Sequence, residues 1–263
     1  MNLGLKDRVA LVAGGSRGLG RAVAEELANE GASLVLCARD AATLAETTAS
    51  IADQTGAHVL GVPADVTDAH QVKQLVAAGI DRFGRIDILV TNAGGPPAGR
   101  FDQLTQEQWE QATRLTLFSA VHMAREVLPG MRARRWGRIL NITSIAVKQP
   151  VENLLLSNSL RAAVTGFART LANEVAMEGI TVNNILPGYT RTERLEELAG
   201  MMAEKRGISA DQFRAQWEAE IPMGRLGEPR ELAAVAAFLV SERASYITAT
   251  SIQVDGGWIR SLF

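Results

Sequence analysis

Short apolar runs alternate with amphipathic stretches along the whole chain. RVALVAG (8–14), SLVLCAR (33–39), HVLGVPAD (58–65), IDILVTNAG (86–94), RILNITS (138–144) and ITVNNILPG (180–188) are brief and close to continuously apolar. Runs of that kind fit strands buried on both faces. Between them GLGRAVAEELANEG (18–31), ATLAETTASIADQTG (42–56) and DAHQVKQLVAAGIDRFG (68–84) carry apolar residues at helical spacing and end at glycine. Asp68 is placed to cap the third of these. A long helix is predicted from Thr105 toward Met131, opened by a Thr105/Gln108 capping-box pattern. Another is predicted over LLLSNSLRAAVTGF (154–167). Strand followed by helix, repeated, predicts an α/β fold, a doubly wound parallel sheet with helices on both faces. No linker, repeat or low-complexity segment divides residues 1–263, so a single domain is expected.

The rhythm breaks once. Between Thr192 and Pro222 two helices follow one another, split near Gly207, with Ser209 and Gln212 offering a second capping box. Two helices in a row do not make a strand–helix unit. Residues 192–221 are therefore expected to project from the sheet edge as a helical insertion, a substrate lid in preference to a dimer arm. Leu195, Leu198, Met201 and Met202 are expected to form the small apolar core of that insertion.

Composition adds mainly exclusions. Of 263 residues, 47% are hydrophobic and 21% charged, which suits a globular chain with a substantial core. A net charge of −2 gives no support to nucleic-acid binding, and the basic cluster MRARRWGR (131–138) is expected to be a solvated helix end. The single Cys37 excludes an internal disulfide or a paired-cysteine metal site, and His58, His70 and His122 lack ligand spacing, so no metal is expected. Neither a signal peptide nor a membrane span is evident, which leaves a soluble cytoplasmic protein as the expectation.

Candidate chemistry begins at AGGSRGLG (13–20), directly after the first strand and opening a helix. Its glycines, Gly14, Gly18 and Gly20, allow a tight turn and close approach of backbone to a pyrophosphate, which the helix N-terminus then binds. From this point the chain resembles the short-chain dehydrogenase/reductase family, whose fingerprint is TGxxxGxG. Asn92-Ala93-Gly94 matches the family's NNAG with Thr91 in place of its first Asn, and Asp65-Val66 matches the adenine-contacting segment. PGYTRT (187–192) matches the PGxxxT cofactor loop, and residues 225–257 are similar to the family's C-terminal helix and strand. The overall likeness is to bacterial 3-oxoacyl-carrier-protein reductases. It implies a Rossmann-type dinucleotide-binding domain, with Gly14, Ser16, Arg17, Gly18, Leu19, Gly20, Asp65, Val66, Asn92, Ala93, Gly94, Pro187, Gly188, Thr190 and Thr192 along the cofactor.

Charge selects between cofactors. The acid that binds a ribose 2′-hydroxyl in NAD sites is replaced by Ala38, followed by Arg39, and Arg17 sits in the glycine turn. Two guanidiniums flanking a 2′-phosphate favour NADP(H) over NAD(H). Asp40 is the opposing feature, one position late.

The resemblance fails at the catalytic tetrad. The family uses Asn, Ser, Tyr and Lys; here the register, fixed by Ser144 and by AAVTGF (162–167), gives Thr116, Ser144, Ser157 and Arg161. Serine is a far weaker acid than tyrosine, and arginine stays protonated at any relevant pH. Arg161 is therefore expected to hold ribose hydroxyls and to add positive potential near a developing oxyanion, leaving the proton source open. Tyr189, beside the cofactor loop, is a substitute acid on one reading and a pocket wall on the other; Lys148 is a lesser candidate. Two functions follow. One is an NADP(H)-dependent oxidoreductase acting on a small carbonyl, 3-oxoacyl-type or related, or on the corresponding alcohol. The other is an NADP(H)-binding sensor or structural partner of an active paralogue. The resemblance further implies a homotetramer or homodimer built on the helices at 105–131 and 152–178.

Overall fold

Residues 2–262 are described by a computed structural model of the chain. Seven strands pair side by side, all parallel, in the order β3-β2-β1-β4-β5-β6-β7. They are β1 (Val9–Ala13), β2 (Ser33–Ala38), β3 (Val59–Pro63), β4 (Ile88–Thr91), β5 (Gly137–Ile142), β6 (Ile180–Pro187) and β7 (Ser251–Val254). The strands are shorter than the apolar runs that predict them, because the run ends turn out of the sheet into loops. The expected single α/β domain with helices on both faces is what forms.

Strand alternation separates two cores. Ala10 and Val12 of β1 point to one face, with Leu34 and Leu36 of β2. There α1 (Gly18–Asn29), α2 (Ala41–Thr55) and α9 (Pro229–Leu239) cover them. Val9, Leu11 and Ala13 point to the other, toward α3 (Ala69–Phe83), α5 (Ser119–Arg134) and α6 (Leu155–Val175). Burial on both faces is why these strands read as continuous apolar runs.

The long helix predicted from Thr105 differs in one respect. Thr105 and Gln108 do form the reciprocal capping box at the start of α4 (Gln106–Thr113). A π-helical turn over Arg114–Phe118 then interrupts the α-helical ladder before α5 begins. Such turns are rare and often lie at functional sites; this one contains Thr116. The basic cluster at 131–138 is exposed at Arg132 and Arg135, as expected of a solvated helix end, and differs at Arg138, which is buried. Its arginines are engaged: Arg132 with Glu178, Arg134 with the carbonyl of Ile86, and Arg138 with carbonyls at the base of the sheet. The guanidiniums of Arg8 and Arg138 lie over the Trp136 ring, at 3.7 and 4.3 Å from its centre.

The insertion forms α7 (Glu193–Arg206) and α8 (Ala210–Glu220). Gly207 terminates α7 in the left-handed region at φ 65°, and the Ser209/Gln212 box opens α8. No helix among the described residues is long and apolar enough to cross a membrane.

Candidate active site

Because β1 leads outward to β2 and β3 while β4 returns on its other side, the β1–β4 boundary is a switch point where two loops diverge. The glycine turn leaves β1 and Asn92-Ala93-Gly94 leaves β4. Gly14 has φ 59°, and a Cβ there would stand 2.8 Å from Asn92 Nδ2; one on Gly20 would stand 2.2 Å from the Gly14 carbonyl oxygen. Glycine is therefore required for α1 to pass over the end of β1. Arg17 occupies the N-cap of α1 without making a side-chain cap, so the first-turn N–H groups stay open to an anion. Ser16 is buried, with its carbonyl accepting from Thr47 Oγ1 at 3.0 Å, and Leu19 packs inward. Gly18 faces Thr192, the N-cap of α7, across a cleft of about 510 Å³ that also touches Arg191 and Glu193. Pro187 ends β6, Gly188 donates to the Val254 carbonyl, and Thr190 pairs with Gly227, which brings the PGxxxT loop back over the glycine turn. After β3, Asp65 accepts from Thr67 N and Val66 packs on the core. A cradle that a Cβ would fill, open helix N–H groups and a facing loop fit a dinucleotide.

At the end of β2, Arg17 and Arg39 are both exposed. Arg17 Nη2 donates to Thr43 Oγ1 at 2.9 Å. Asp40 caps α2 by accepting from Thr43 N at 2.7 Å. Hydrogen bonds from Thr43, helped by Arg17, hold its carboxyl below the usual carboxylate range. The acid that opposed a 2′-phosphate is thus committed to the helix cap. Thr43 is a site residue that sequence reasoning missed; its only signal is the N-cap spacing from Asp40.

Ser144, Ser157 and Arg161 lie where β5 ends. Ser144 follows Thr143 and caps a short turn, its Oγ accepting from Ala146 N at 3.1 Å. Ser157 and Arg161 lie one turn apart on α6. Arg161 Nε donates to Ser157 Oγ at 3.1 Å, and Nη1 donates to the carbonyls of Ile142 and Thr143 at 3.2 and 2.7 Å. Nη2 has no protein acceptor among the described residues. Desolvation by burial pulls the guanidinium down to about 10, with no carboxylate contributing, so it remains a cation at neutral pH. Thr116 is 8% exposed, and its Oγ1 has no hydrogen-bond partner. Thr116, Arg161, Asn92, Ala93 and Gly94 line one water-sized cavity of about 20 Å³.

Tyr189, read from the sequence as either a substitute acid or a pocket wall, packs against the helical insertion. Its ring stacks on Trp217 with centroids 5.0 Å apart and meets Trp258 edge-on at 5.8 Å. These belong to an apolar cluster with Phe213, Leu195, Leu198 and Met202, whereas Met201 is largely exposed. Burial first, and Glu220 second, push the Tyr189 phenol up to about 12, away from the range of a useful acid. No arginine contributes to it. Lys148 Nζ donates to Gln253 Oε1 at 3.0 Å.

Comparison with known proteins agrees with this geometry. Residues 13–259 match a family model described as enoyl-(acyl carrier protein) reductase. The 3-oxoacyl-[acyl-carrier-protein] reductase of Vibrio cholerae is 35% identical over 255 residues, 97% of this chain and 98% of that protein. A ketoacyl reductase attributed to granaticin polyketide synthesis in Streptomyces violaceoruber is 37% identical, covering 95% of this chain and 92% of that one. L-sorbose reductase from Gluconobacter frateurii, solved with NADPH and L-sorbose, superposes with a TM-score of 0.96 at 36% identity over 100% of both chains.

Proposed function

This chain belongs to the short-chain dehydrogenase/reductase family, and from that premise we propose that it is an NADP(H)-dependent oxidoreductase acting on a small carbonyl or the corresponding alcohol. The observation that carries the reading is a complete dinucleotide cradle at the sheet switch point, beside the convergence of Ser144, Ser157 and Arg161. NADPH is favoured by Arg17, Arg39 and Thr43 at the end of β2, and by the NADPH printed for the sorbose reductase. Gly14, Ser16, Gly18, Leu19, Gly20, Asn92, Ala93, Gly94, Pro187, Gly188, Thr190 and Thr192 would line the dinucleotide, with Asp65 and Val66 at its adenine. When bound, it supplies the hydride.

The chain's own residues supply the rest. Ser144 keeps its hydroxyl hydrogen free to orient a substrate oxygen, because its Oγ accepts from the backbone. Ser157 and Arg161 stand where the family's tyrosine and lysine stand. The 3-oxoacyl class is favoured by the carrier-protein and polyketide relatives. The aromatic lid would exclude water from the cleft. Assembly as a homotetramer or homodimer is part of the proposal, supported by exposed Phe118 and by small exposed residues of α6, Ala162, Ala163 and Gly166. Light scattering tests it.

The test of function is direct. Protein fluorescence is expected to report tighter binding of NADPH than NADH. A panel of 3-oxoacyl thioesters and simple carbonyls is expected to include a substrate whose reduction Ser144→Ala slows at least about 10²-fold, as loss of a transition-state hydrogen-bond donor does. NADPH binding with no turnover of any carbonyl would favour a sensor or partner of an active paralogue instead.

A further inference from the structure

The π-helical turn at Arg114–Phe118 sets Thr116 into the cavity beside Arg161, and neither side chain is fully answered by the protein. Thr116 is 8% exposed, and its Oγ1 has no hydrogen-bond partner. Arg161 is half-buried. It donates through Nε to Ser157 and through Nη1 to the carbonyls of Ile142 and Thr143, and Nη2 has no acceptor among the described residues. The other hydroxyls of the lining give their hydrogens elsewhere. Thr91 Oγ1 donates to Asn141 Oδ1 at 2.7 Å, Ser119 Oγ to the Leu115 carbonyl at 2.5 Å and Thr143 Oγ1 to the Ile185 carbonyl at 3.4 Å. No carboxylate, histidine or tyrosine is among the lining residues.

Two free donors therefore meet at one small polar space, and one of them is a cation with no counter-charge. A buried hydroxyl without a partner is destabilising, and so is a half-buried guanidinium without an anion. A water accepting from both would satisfy the donors and leave the charge unanswered. An anion answers the charge and both donors together, through charge-assisted hydrogen bonds. The cavity bounds its size: about 20 Å³ holds one water or one halide, and not a carboxylate or a phosphate. We propose that Thr116 and Arg161 form a binding site for a single halide-sized anion, chloride in ordinary solution. The Thr116 hydroxyl and Arg161 Nη2 are its donors. The inference goes beyond the oxidoreductase reading and stands whether or not the chain turns over a carbonyl.

Occupancy has a structural consequence. Arg161 already joins α6 to the end of β5 through its bonds to the Ile142 and Thr143 carbonyls. An anion shared with Thr116 adds the π turn between α4 and α5 to that junction. Three segments far apart in the chain supply the site, so the unfolded chain does not contain it. Binding to the folded state alone raises stability with anion concentration.

The test has a solution arm and a crystallographic arm. In the first, the protein is unfolded thermally in sodium chloride and in sodium gluconate at equal ionic strength, gluconate being too large for the cavity. Chloride is expected to raise the midpoint by at least about 2 °C over gluconate, with the logarithmic dependence on concentration that one-site linkage requires. Bromide is expected to act as chloride does. The difference is expected to vanish in Thr116→Val and in Arg161→Gln. Thr116→Val keeps the shape of the side chain, and in gluconate it is expected to unfold no earlier than the wild type, because a methyl replaces an unanswered hydroxyl. That result separates loss of the anion from loss of the fold. In the second arm, crystals grown in bromide are expected to show one anomalous peak within hydrogen-bond distance of Thr116 Oγ1 and the Arg161 guanidinium. Equal midpoints in chloride and gluconate, or a cavity that holds water and no bromide, overturn the inference. A bromide peak without the chloride-specific shift marks an adventitious ion only and overturns it too. Neither arm reads carbonyl turnover, so failure here leaves the oxidoreductase reading in place.

Discussion

Replacing Tyr189 by Phe is expected to leave turnover within a factor of about two, because the ring keeps its place against Trp217 and Trp258 and near-isosteric core changes cost little. A fall by orders of magnitude in steady-state rate would reinstate Tyr189 as an acid. Its position after Pro187-Gly188 made it a plausible donor from sequence. Only the packing shows that its neighbours are Trp217 and Glu220 and not Arg161. Thr43 teaches the reverse lesson. Only its spacing from Asp40 marks it in the sequence, yet its hydroxyl accepts from Arg17 and its amide donates to the capping carboxylate of Asp40. Thr43→Val is expected to weaken NADPH binding about threefold to tenfold, the worth of one hydrogen bond, with NADH affinity unchanged. Paired fluorescence titrations check it. Ser157 and Arg161 lay open to register counting, but the direction of their hydrogen bonds did not, since one helical turn of separation permits many rotamers.

At the level of elements, local chemistry was legible wherever it acts within a few residues. The capping boxes at Thr105 and Ser209 and the N-cap at Asp68 form as their spacing requires. Ser209→Ala is expected to cost about 1 kcal/mol of α8 stability, the usual worth of an N-cap. Faster amide exchange confined to α8 would show it. Glu231 adds a pH dependence at the start of α9. Side-chain bonds from Arg225, then the Glu228 amide, bring its carboxyl from 4.5 to about 2. A depressed acid stabilises the folded state above its unfolded pKa and loses that contribution as pH falls through the folded one. The acid limb of unfolding between about 4.5 and 2 is therefore expected to flatten in Glu231→Gln, as read by circular dichroism. The π turn at Arg114–Phe118 was not legible, because RLTLF has the composition of an ordinary helix. It places Thr116 in the cavity with Arg161.

Across the whole molecule, a polar chain crosses the buried sheet. Thr91 Oγ1 donates to Asn141 Oδ1 at 2.7 Å, Asn141 Nδ2 to Asn184 Oδ1 at 3.0 Å, and Asn184 Nδ2 to Ser251 Oγ at 3.1 Å. Each pair is in cross-strand register between β4 and β7, so a slip of one residue would strand every member. Asn141→Leu is expected to destabilise the protein by about 1–3 kcal/mol for each group it orphans, measured by urea unfolding. Four polar residues scattered along the chain predict nothing singly; alignment by the sheet gives them partners. The sequence by itself determined the alternation of strand and helix, the glycine turn after β1 and the helix caps, because periodicity and backbone freedom are properties of neighbours along the chain. Tertiary structure alone decided which charges are answered and which are left over. Asp40 and the arginines at 132, 134 and 138 find partners, while Arg161 is half-buried with no carboxylate among its partners, because burial and long-range proximity depend on how distant segments pack.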